Sequence, residues 1–227
     1  MTTVAIHQPE YFPMLGYLAK ARRADVFVLL DDVQFDRSSL QHRARVAGAG
    51  GMVWMTIPFV HKFPQKLDEV EVADARFPTK HGKTLAACYG RAPGWPLLAP
   101  RLDALFAAAP ARVVDATVPS VALLFDAFRV TTPVVRASTL AAEGDKAELV
   151  LAICRELGAT RYLSGRTGAA YLDADAFRAA GIAIEVVAYT PPAYPRPRPL
   201  PDDARGLSAL DAWFHVGADA PALLEAS

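Results

Sequence analysis

Polar side chains able to take part in catalysis are concentrated in the first 20 residues. His7 and Gln8 end a short apolar run, and Tyr11, Tyr17 and Lys20 follow them closely. An imidazole can act as a general base or bind a phosphate, and amide, phenol and ammonium groups can orient a polar substrate. A lone histidine at a strand end is more often a core residue, but the polar side chains around this one favour a functional role. We predict His7 and Lys20 as catalytic residues and Gln8, Tyr11 and Tyr17 as substrate-binding residues.

A second polar stretch begins with Asp31 and Asp32 and continues to Gln34, again directly after an apolar run. Adjacent side chains of an extended chain point to opposite sides, so two neighbouring carboxylates do not form an acid–base pair. We expect one aspartate to orient a neighbouring group and the other to bind an amine, a ribose hydroxyl or Mg²⁺. Both belong to the predicted catalytic set, and Gln34 is expected to orient the substrate.

Arg37, Arg43 and Arg45 follow within nine residues, with serine, glutamine and histidine between them. Guanidinium groups suit recognition of phosphate or carboxylate. A solvated basic loop is the alternative, and the residues alone leave both open. Further along, Ser164 and Gly165 follow an apolar run in SGRTG, where small residues let backbone amides approach an anion. These five residues complete the predicted substrate-binding set.

Other histidines and known motifs add little to this assignment. The segment from His61 to Lys66 follows a predicted strand and could close over a ligand. The roles of His61 and His81 stay open, while His215 fits a structural place in the last helix. The sequence has no Walker-type loop, nucleophile elbow, dinucleotide glycine motif, His-Glu-x-x-His or Cys-x-x-Cys. No residue is therefore assigned to a metal.

Composition narrows the class of protein. Lysine plus arginine and aspartate plus glutamate number 24 each, and without a cationic surplus we expect no nucleic-acid partner. The N-terminus lacks the layout of a signal peptide, and no apolar run approaches the ~18 residues that span a bilayer. We expect a cytoplasmic protein without membrane contact, with a small-molecule substrate as its partner. A homo-oligomer stays open.

The elements that position these side chains alternate between strands and helices. Predicted strands are Thr3–His7, Val26–Leu30, Val53–Pro58, Val134–Arg136, Arg161–Leu163 and Ile182–Val187. Predicted helices are Met14–Arg23, Lys146–Leu157, Asp175–Ala180 and Leu207–His215, with a helical insertion from about residue 78 to 130 that prolines break at 93, 96, 100, 110 and 119.

Such alternation predicts a mainly parallel sheet with helices on both faces, a three-layer α/β fold in one domain spanning 1–227. The proline-rich segment 191–201 is expected to form an extended strap. Ligands of parallel sheets bind at the carboxyl ends of the strands, where His7, Gln8, Asp31 and Asp32 are predicted to lie.

Several motifs resemble one protein family over nearly the whole chain. HQPEYFPMLGYLAK, ADVFVLLDDVQF, RSSLQHRARV and MVWMTIP occur in this order, and QKLDEVEV, YLSG and GAAYLD follow. Together they resemble the WbqC-like family. This resemblance implies small-molecule or sugar biosynthesis, because the family is met in bacterial O-antigen and natural-product gene clusters.

A second resemblance is to pantothenate synthetase and other HIGH-type nucleotidyl-transfer enzymes. It is carried by the strand–loop–helix opening, by KARRADVFVLLDDVQF and by the stretch from KAELVLAICRELG to AIEVV. It implies a HUP-type Rossmann-like fold and activation of a carboxylate by ATP, with Mg²⁺, for attack by an amine. The two histidines of the His-x-Gly-His signature would fall near Met14–Tyr17 and are absent. Either His7, Tyr17, Lys20 and the arginines replace them, or only the fold remains.

The residues and the resemblances together predict a biosynthetic transferase or ligase acting on an amine- or carboxylate-bearing small molecule, such as a nucleotide-linked amino sugar. An acyl or aminoacyl transferase that uses no ATP is the first alternative. A non-catalytic binding protein of a biosynthetic cluster is the second.

Overall fold

The structure is a computed structural model that describes residues 1–60, 62–197, 199 and 206–225, apart from the side chain of Thr167. Its strands are β1 (Thr3–His7), β2 (Val26–Leu29), β3 (Arg43–Gly48), β4 (Gly51–Thr56), β5 (Val134–Arg136), β6 (Arg161–Ser164) and β7 (Ala183–Val186). Its helices are α1 (Leu15–Arg22), α2 (Phe77–Tyr89), α3 (Trp95–Ala107), α4 (Val113–Ala127), α5 (Ala147–Glu156), α6 (Arg166–Ala169), α7 (Ala174–Ala179) and α8 (Ala209–Val216).

Five strands form one parallel sheet in the order β5-β2-β1-β6-β7. Strand β1 lies at its centre, with His7 opposite Leu29 of β2 and Ala5 opposite Leu163 of β6. Helices cover both faces, so the chain has the predicted three-layer, Rossmann-like α/β fold. The predicted strands of this sheet are confirmed, with boundaries that differ by one residue at most.

Side chains of β1 alternate between two hydrophobic cores, as the period of a strand requires. Val4 and Ile6 pack into a cluster with residues of α5 and α7 on one face. Ala5 packs into a larger cluster on the other face, which includes residues of α1, α4 and α8. This double burial holds β1 firmly and fixes the position of the residues that follow it.

The stretch that holds Arg43 and Arg45 is a strand that was not among the predicted strands. Residues 43–48 form β3, which pairs antiparallel with β4 in a separate hairpin, where Arg45 lies opposite Trp54 and Gly48 opposite Gly51. Arg43 and Arg45 therefore lie on a strand and not in a basic loop. The sequence RARVAG has few residues that favour strands, and its conformation comes from pairing with β4 and from burial of Ala44 and Val46.

The middle of the chain is helical as predicted, in the form of α2, α3 and α4. Two of the prolines expected to break helices lie inside them, Pro100 in α3 and Pro119 in α4. A proline inside a helix costs about 3 kcal/mol. In α4 ten buried residues offset that cost through packing. No helix in the described part of the chain is long and apolar enough to cross a membrane.

The proline-rich strap has neither helix nor strand at residues 191–197 and 199. Residues 198, 200 and 201 of the predicted strap lie outside the described residues. Two tyrosines, one in the strap and one just before it, attach this segment to the rest of the chain. The Tyr189 hydroxyl donates to the carbonyl oxygen of Leu223 at 2.8 Å, and the Tyr194 hydroxyl donates to Asp211 Oδ2 at 2.7 Å.

Candidate functional site

The order of the strands reverses direction at the centre of the sheet, on either side of β1. From β1 the chain runs outward to β2 and β5, and it then returns to the other side of β1 as β6 and β7. Loops that leave neighbouring strands in opposite directions open a crevice at their carboxyl ends, where open α/β sheets bind ligands. In this chain the crevice lies between the ends of β1 and β6.

A cavity of about 290 Å³ occupies this crevice, and we call it the switch-point cavity. It is lined by His7, Glu10, Met14, Gly16, Tyr17, Lys20, Gly165, Arg166, Val187 and Tyr189. Of the predicted site residues, the fold thus brings His7, Tyr17, Lys20 and Gly165 together. Glu10 and Arg166 join them, although they were not among the predicted site residues.

His7 is held in one tautomer by the backbone. Its Nδ1 lies 3.0 Å from the carbonyl oxygen of Gln8, to which it donates, so Nε2 is the unprotonated acceptor. The ring packs edge-on against Tyr17 with 4.7 Å between centroids. Burial, followed by the charge of Lys20, lowers the pKa of His7 well below its usual 6.5. His7 is therefore neutral at pH 7 and able to accept a proton.

Glu10 and Lys20 have pKa values that approach each other. Burial raises the pKa of Glu10 to about 7, although the Lys20 charge opposes the shift. Burial lowers the pKa of Lys20 to about 8 against the opposing effect of Glu10. Lys20 Nζ donates to the carbonyl oxygen of Ile6 at 3.0 Å, whereas Glu10 Oε2 and the Tyr17 hydroxyl are buried without a partner in the described residues.

Glu10 was missed because a glutamate in a proline-rich loop is usually solvated. The signal that could have found it is its spacing of three residues from His7, in a loop that Pro9 and Pro13 constrain. The structure places Glu10 Oε1 4.0 Å from His7 Nδ1 and leaves only 13% of its side chain exposed.

A larger cleft of about 740 Å³ lies on the β2 side of β1, and we call it the acidic cleft. Gln8, Asp32 and Gln34 contribute to its lining. Asp32 Oδ1 is buried without a partner among the described residues. Four carboxylates, of Asp32, Glu69, Glu143 and Asp145, face two ammonium groups, of Lys66 and Lys146, in its lining.

Gln8 is oriented by a second amide. Gln41 is 1% exposed, accepts from the backbone N–H of Asp36 at 2.9 Å and donates through Nε2 to Gln8 Oε1, also at 2.9 Å. Because Gln8 Oε1 is occupied, its own Nε2 remains to donate to a ligand in the acidic cleft. Gln41 thus acts on a ligand only through Gln8.

The segment after β4 borders the acidic cleft. The backbone N–H of Phe35 donates to the carbonyl oxygen of Gln65 at 2.9 Å, and that of Leu67 donates to Val33 at 2.9 Å. Pro64, Gln65 and Lys66 therefore lie against the chain that leaves β2 and form one wall of the cleft. His61 lies outside the described residues.

Asp31 occupies a different position from Asp32. It is fully buried, and its oxygens accept from Arg136 Nε at 2.5 Å, from the backbone N–H of Ser138 at 3.0 Å and from the Ser138 hydroxyl at 2.9 Å. These bonds tie the end of β2 to the segment that follows β5. The predicted orienting aspartate is thus Asp31, and Asp32 is the one that lines a cleft.

Three of the remaining predicted residues, Tyr11, Arg43 and Arg45, line neither cleft. Tyr11 is buried and bonds through its hydroxyl to His81 Nδ1 at 2.9 Å. Arg43 donates through Nε to the carbonyl oxygen of Ser39 at 3.1 Å, and its guanidinium stacks over Trp54 at 4.7 Å. Arg45 stacks over the same ring at 5.2 Å. The hairpin therefore uses both arginines on its outer surface.

Arg37 lines a surface pocket of about 520 Å³ that adjoins the acidic cleft, since Gln34 and Gln65 line both. Ser164 is buried, and its hydroxyl donates to the carbonyl oxygen of Gly165 at 3.1 Å. His215 lies on α8 with its Nε2 3.8 Å from Asp211, in a structural position. No group of three or more histidine, cysteine, aspartate or glutamate side chains in the described part could hold a metal ion.

Comparison with known proteins shows the family of this chain. The chain is similar to a Mycobacterium tuberculosis protein named uncharacterized protein Rv1507c, with 25% identity over 232 residues that cover 97% of this chain and 96% of the relative. No solved structure matches the chain. The model of the WbqC-like protein family matches residues 8–222, which include both clefts almost entirely. The chain belongs to the WbqC-like protein family.

Proposed function

We propose that the chain is a biosynthetic transferase or ligase that joins an amine-bearing small molecule to an acyl group derived from a carboxylate. The family supports a biosynthetic role. The observation that carries the proposal is the switch-point cavity, where a neutral His7 lies beside a carboxyl and an ammonium group whose pKa values are brought to about 7 and about 8. Groups that titrate near pH 7 suit general acid–base catalysis.

In the proposed reaction the amine nitrogen attacks the carbonyl carbon of an activated acyl donor. The new N–C bond forms, the bond from the carbonyl carbon to the leaving group breaks, and the proton lost by the amine passes to His7 Nε2. The leaving group departs with the electron pair and takes up that proton or one from Lys20. The Tyr17 hydroxyl and the Lys20 ammonium are the donors in the cavity suited to the developing oxyanion.

The acidic cleft is the proposed site of the amine substrate. Its carboxylates outnumber its ammonium groups four to two, which attracts a cation and repels a polyphosphate. The buried Asp32 Oδ1 needs a donor, and the free Nε2 of Gln8 can donate to a hydroxyl or carbonyl oxygen. An amino sugar or an amino acid has these groups.

The described residues give little support to activation by ATP. The predicted phosphate-binding arginines Arg43 and Arg45 stack on Trp54 of the hairpin and line neither cleft, and Arg37 lines a third pocket. The acidic cleft opposes a triphosphate. We therefore favour the ATP-independent form, transfer from a donor that is already activated, such as a thioester.

The test is amide formation from acyl thioesters and a panel of amino sugars and amino acids, followed by mass spectrometry and by release of free thiol. His7→Ala is expected to lower kcat by about 10²–10⁴-fold, the usual contribution of a general base. His215→Gln, which removes an imidazole outside both clefts, is the control and is expected to keep kcat. Unchanged kcat in His7→Ala, or turnover that requires ATP, would contradict the proposal.

A further inference from the structure

An apolar groove adjoins the switch-point cavity. It has a volume of about 650 Å³ and runs beneath the strap, between residues 189–196 and residues 206–208. Met14, Gly16 and Tyr189 line both the groove and the cavity. The groove and the cavity are therefore direct neighbours that share three lining residues.

The walls of the groove are held in place by hydrogen bonds. Tyr189 and Tyr194 are anchored through their hydroxyls to Leu223 and Asp211, and the backbone N–H of Ser208 donates to the carbonyl oxygen of Arg45 at 2.9 Å. Prolines at 191 and 192 restrict the backbone of the strap further. These anchors hold a space open that apolar side chains would otherwise fill.

The chemistry of the walls selects an apolar occupant. Leu15, Pro191, Pro192, Ala193 and Leu207 present carbon atoms, and the aromatic rings of Tyr189 and Tyr194 add to them. Among the described lining residues Arg196 alone is charged. Its Nη2 donates to Asp211 Oδ1 at 2.8 Å, while its Nε and Nη1 are buried without a partner in the described part of the chain. A sugar or an amino acid would lose hydrogen bonds to water in such a groove, whereas a hydrocarbon chain or ring gains by burial.

We propose that this groove binds the apolar acyl chain of the donor and places its carbonyl carbon in the switch-point cavity. The inference rests on the proposed function and names the donor class, an acyl group of medium length. The amine then approaches from the acidic cleft on the other side of β1. The two substrates would reach His7 from opposite sides.

Binding of straight-chain carboxylates from butanoate to decanoate, measured by calorimetry, tests the groove without any turnover. Affinity is expected to rise about fourfold for each added methylene until the groove is full, since each buried CH₂ contributes to transfer from water. Ala193→Trp, in the strap wall, is expected to lower the affinity for decanoate by at least tenfold and the affinity for butanoate by less than twofold. Ala87→Trp, on the exposed surface of α2, is the matched control and is expected to bind as the wild type does.

An affinity that does not depend on chain length, or decanoate binding that is unchanged in Ala193→Trp, would overturn the proposal that the groove binds the acyl chain. Ala193→Phe is a smaller obstruction for use if Ala193→Trp has a lowered Tm. The outcome for the groove is separate from the outcome for the reaction. A chain-length effect without amide formation would overturn the transfer reaction alone, and amide formation at equal rates for short and long donors would overturn the groove alone.

Discussion

In His7, Glu10 and Lys20, burial is the largest cause of each pKa shift. Near the end of β1 it disfavours the charged form of each group, which lowers the pKa of His7 and Lys20 and raises that of Glu10. The imidazole thus stays neutral, the carboxyl retains its proton up to about pH 7, and the ammonium releases its proton near pH 8. Single substitutions in this cluster should therefore change the pH dependence of stability as well as of turnover.

Glu10→Gln should remove one part of the pH dependence of folding stability. The pKa of Glu10 is raised from 4.5 to about 7 on folding, so its protonation favours the folded state below pH 4.5, and this contribution is lost as the pH rises to 7. The loss is on the order of 2–3 kcal/mol. Relative to Glu10→Gln, the wild type should thus become less stable between pH 4.5 and 7, which urea unfolding across that range measures.

Glu71→Gln is the matched control for this experiment, because Glu71 is an exposed carboxyl paired with Lys62 at 3.7 Å. Its pH profile should follow that of the wild type. Parallel profiles for the wild type and Glu10→Gln would show that Glu10 is solvated, and they would remove it from the proposed acid–base cluster.

At the scale of elements, two buried aspartates connect parts of the fold that are distant in sequence. Asp31 joins the end of β2 to the segment after β5. Asp211 of α8 accepts from Tyr89 of α2 at 2.8 Å, from Tyr194 of the strap at 2.7 Å and from Arg196 at 2.8 Å. Both lie in positions where loss of the negative charge leaves donors without an acceptor.

Asp31→Asn is expected to lower the free energy of unfolding by about 3 kcal/mol. The asparagine would offer a single neutral oxygen to three donors, the guanidinium of Arg136 and the backbone N–H and hydroxyl of Ser138. Chemical unfolding measures the change. Asp175→Asn, which removes an exposed ion pair with Arg178, should cost less than about 0.5 kcal/mol. Equal effects of the two substitutions would mean that Asp31 is not the anchor of β5.

Asp211→Asn and Arg196→Gln should each destabilise by about 3 kcal/mol, and the double variant by clearly less than their sum. The reason is that each single change leaves the other charge buried without its partner, whereas the double change removes both. A double-mutant cycle from unfolding free energies measures the coupling. Strict additivity would show that the Arg196–Asp211 pair does not hold the strap.

At the scale of the whole molecule, ligand binding should distinguish the two proposed forms of the reaction. A ligand at 100 times its Kd stabilises by about 2.7 kcal/mol, which raises Tm by several degrees in a chain of this size. We expect glucosamine to raise Tm and glucose to do so less, because only the amine pairs with the acidic cleft. Asp32→Asn should reduce the difference between the two sugars.

ATP with Mg²⁺ is expected to leave Tm unchanged in the same thermal-shift measurement. A rise in Tm with ATP that Arg43→Ala abolishes would instead support activation of a carboxylate by ATP, at a nucleotide site in which the arginines replace the absent signature histidines. In that case the arginines of the hairpin would have to leave the Trp54 ring to reach the ligand.

Much of the fold could be predicted from the sequence because the apolar runs and turn residues favour the same elements that burial in the folded chain favours. The apolar runs of β1, β2 and β6 and the glycines after α5 and α7 mark their elements, and the structure confirms them. Strand β3 was missed, and helices α3 and α4 continue past prolines that were expected to end them. In each of these cases packing against the rest of the molecule outweighs a weak or contrary local preference.

The sequence by itself determined the parallel sheet, its helical layers and the strand end at which His7 and Gln8 lie. The periodicity of apolar residues and the residues that form turns are local properties of the sequence, and they were sufficient for this. Only the tertiary structure decided that Asp31 faces Arg136 while Asp32 faces a cleft, that Glu10 joins His7 and Lys20, and that Arg43 and Arg45 stack on Trp54. These outcomes depend on how strands, loops and the hairpin pack together and on the loss of water around each group. The identity of a residue does not record such packing, and its spacing does so at most in part, as for Glu10 and His7.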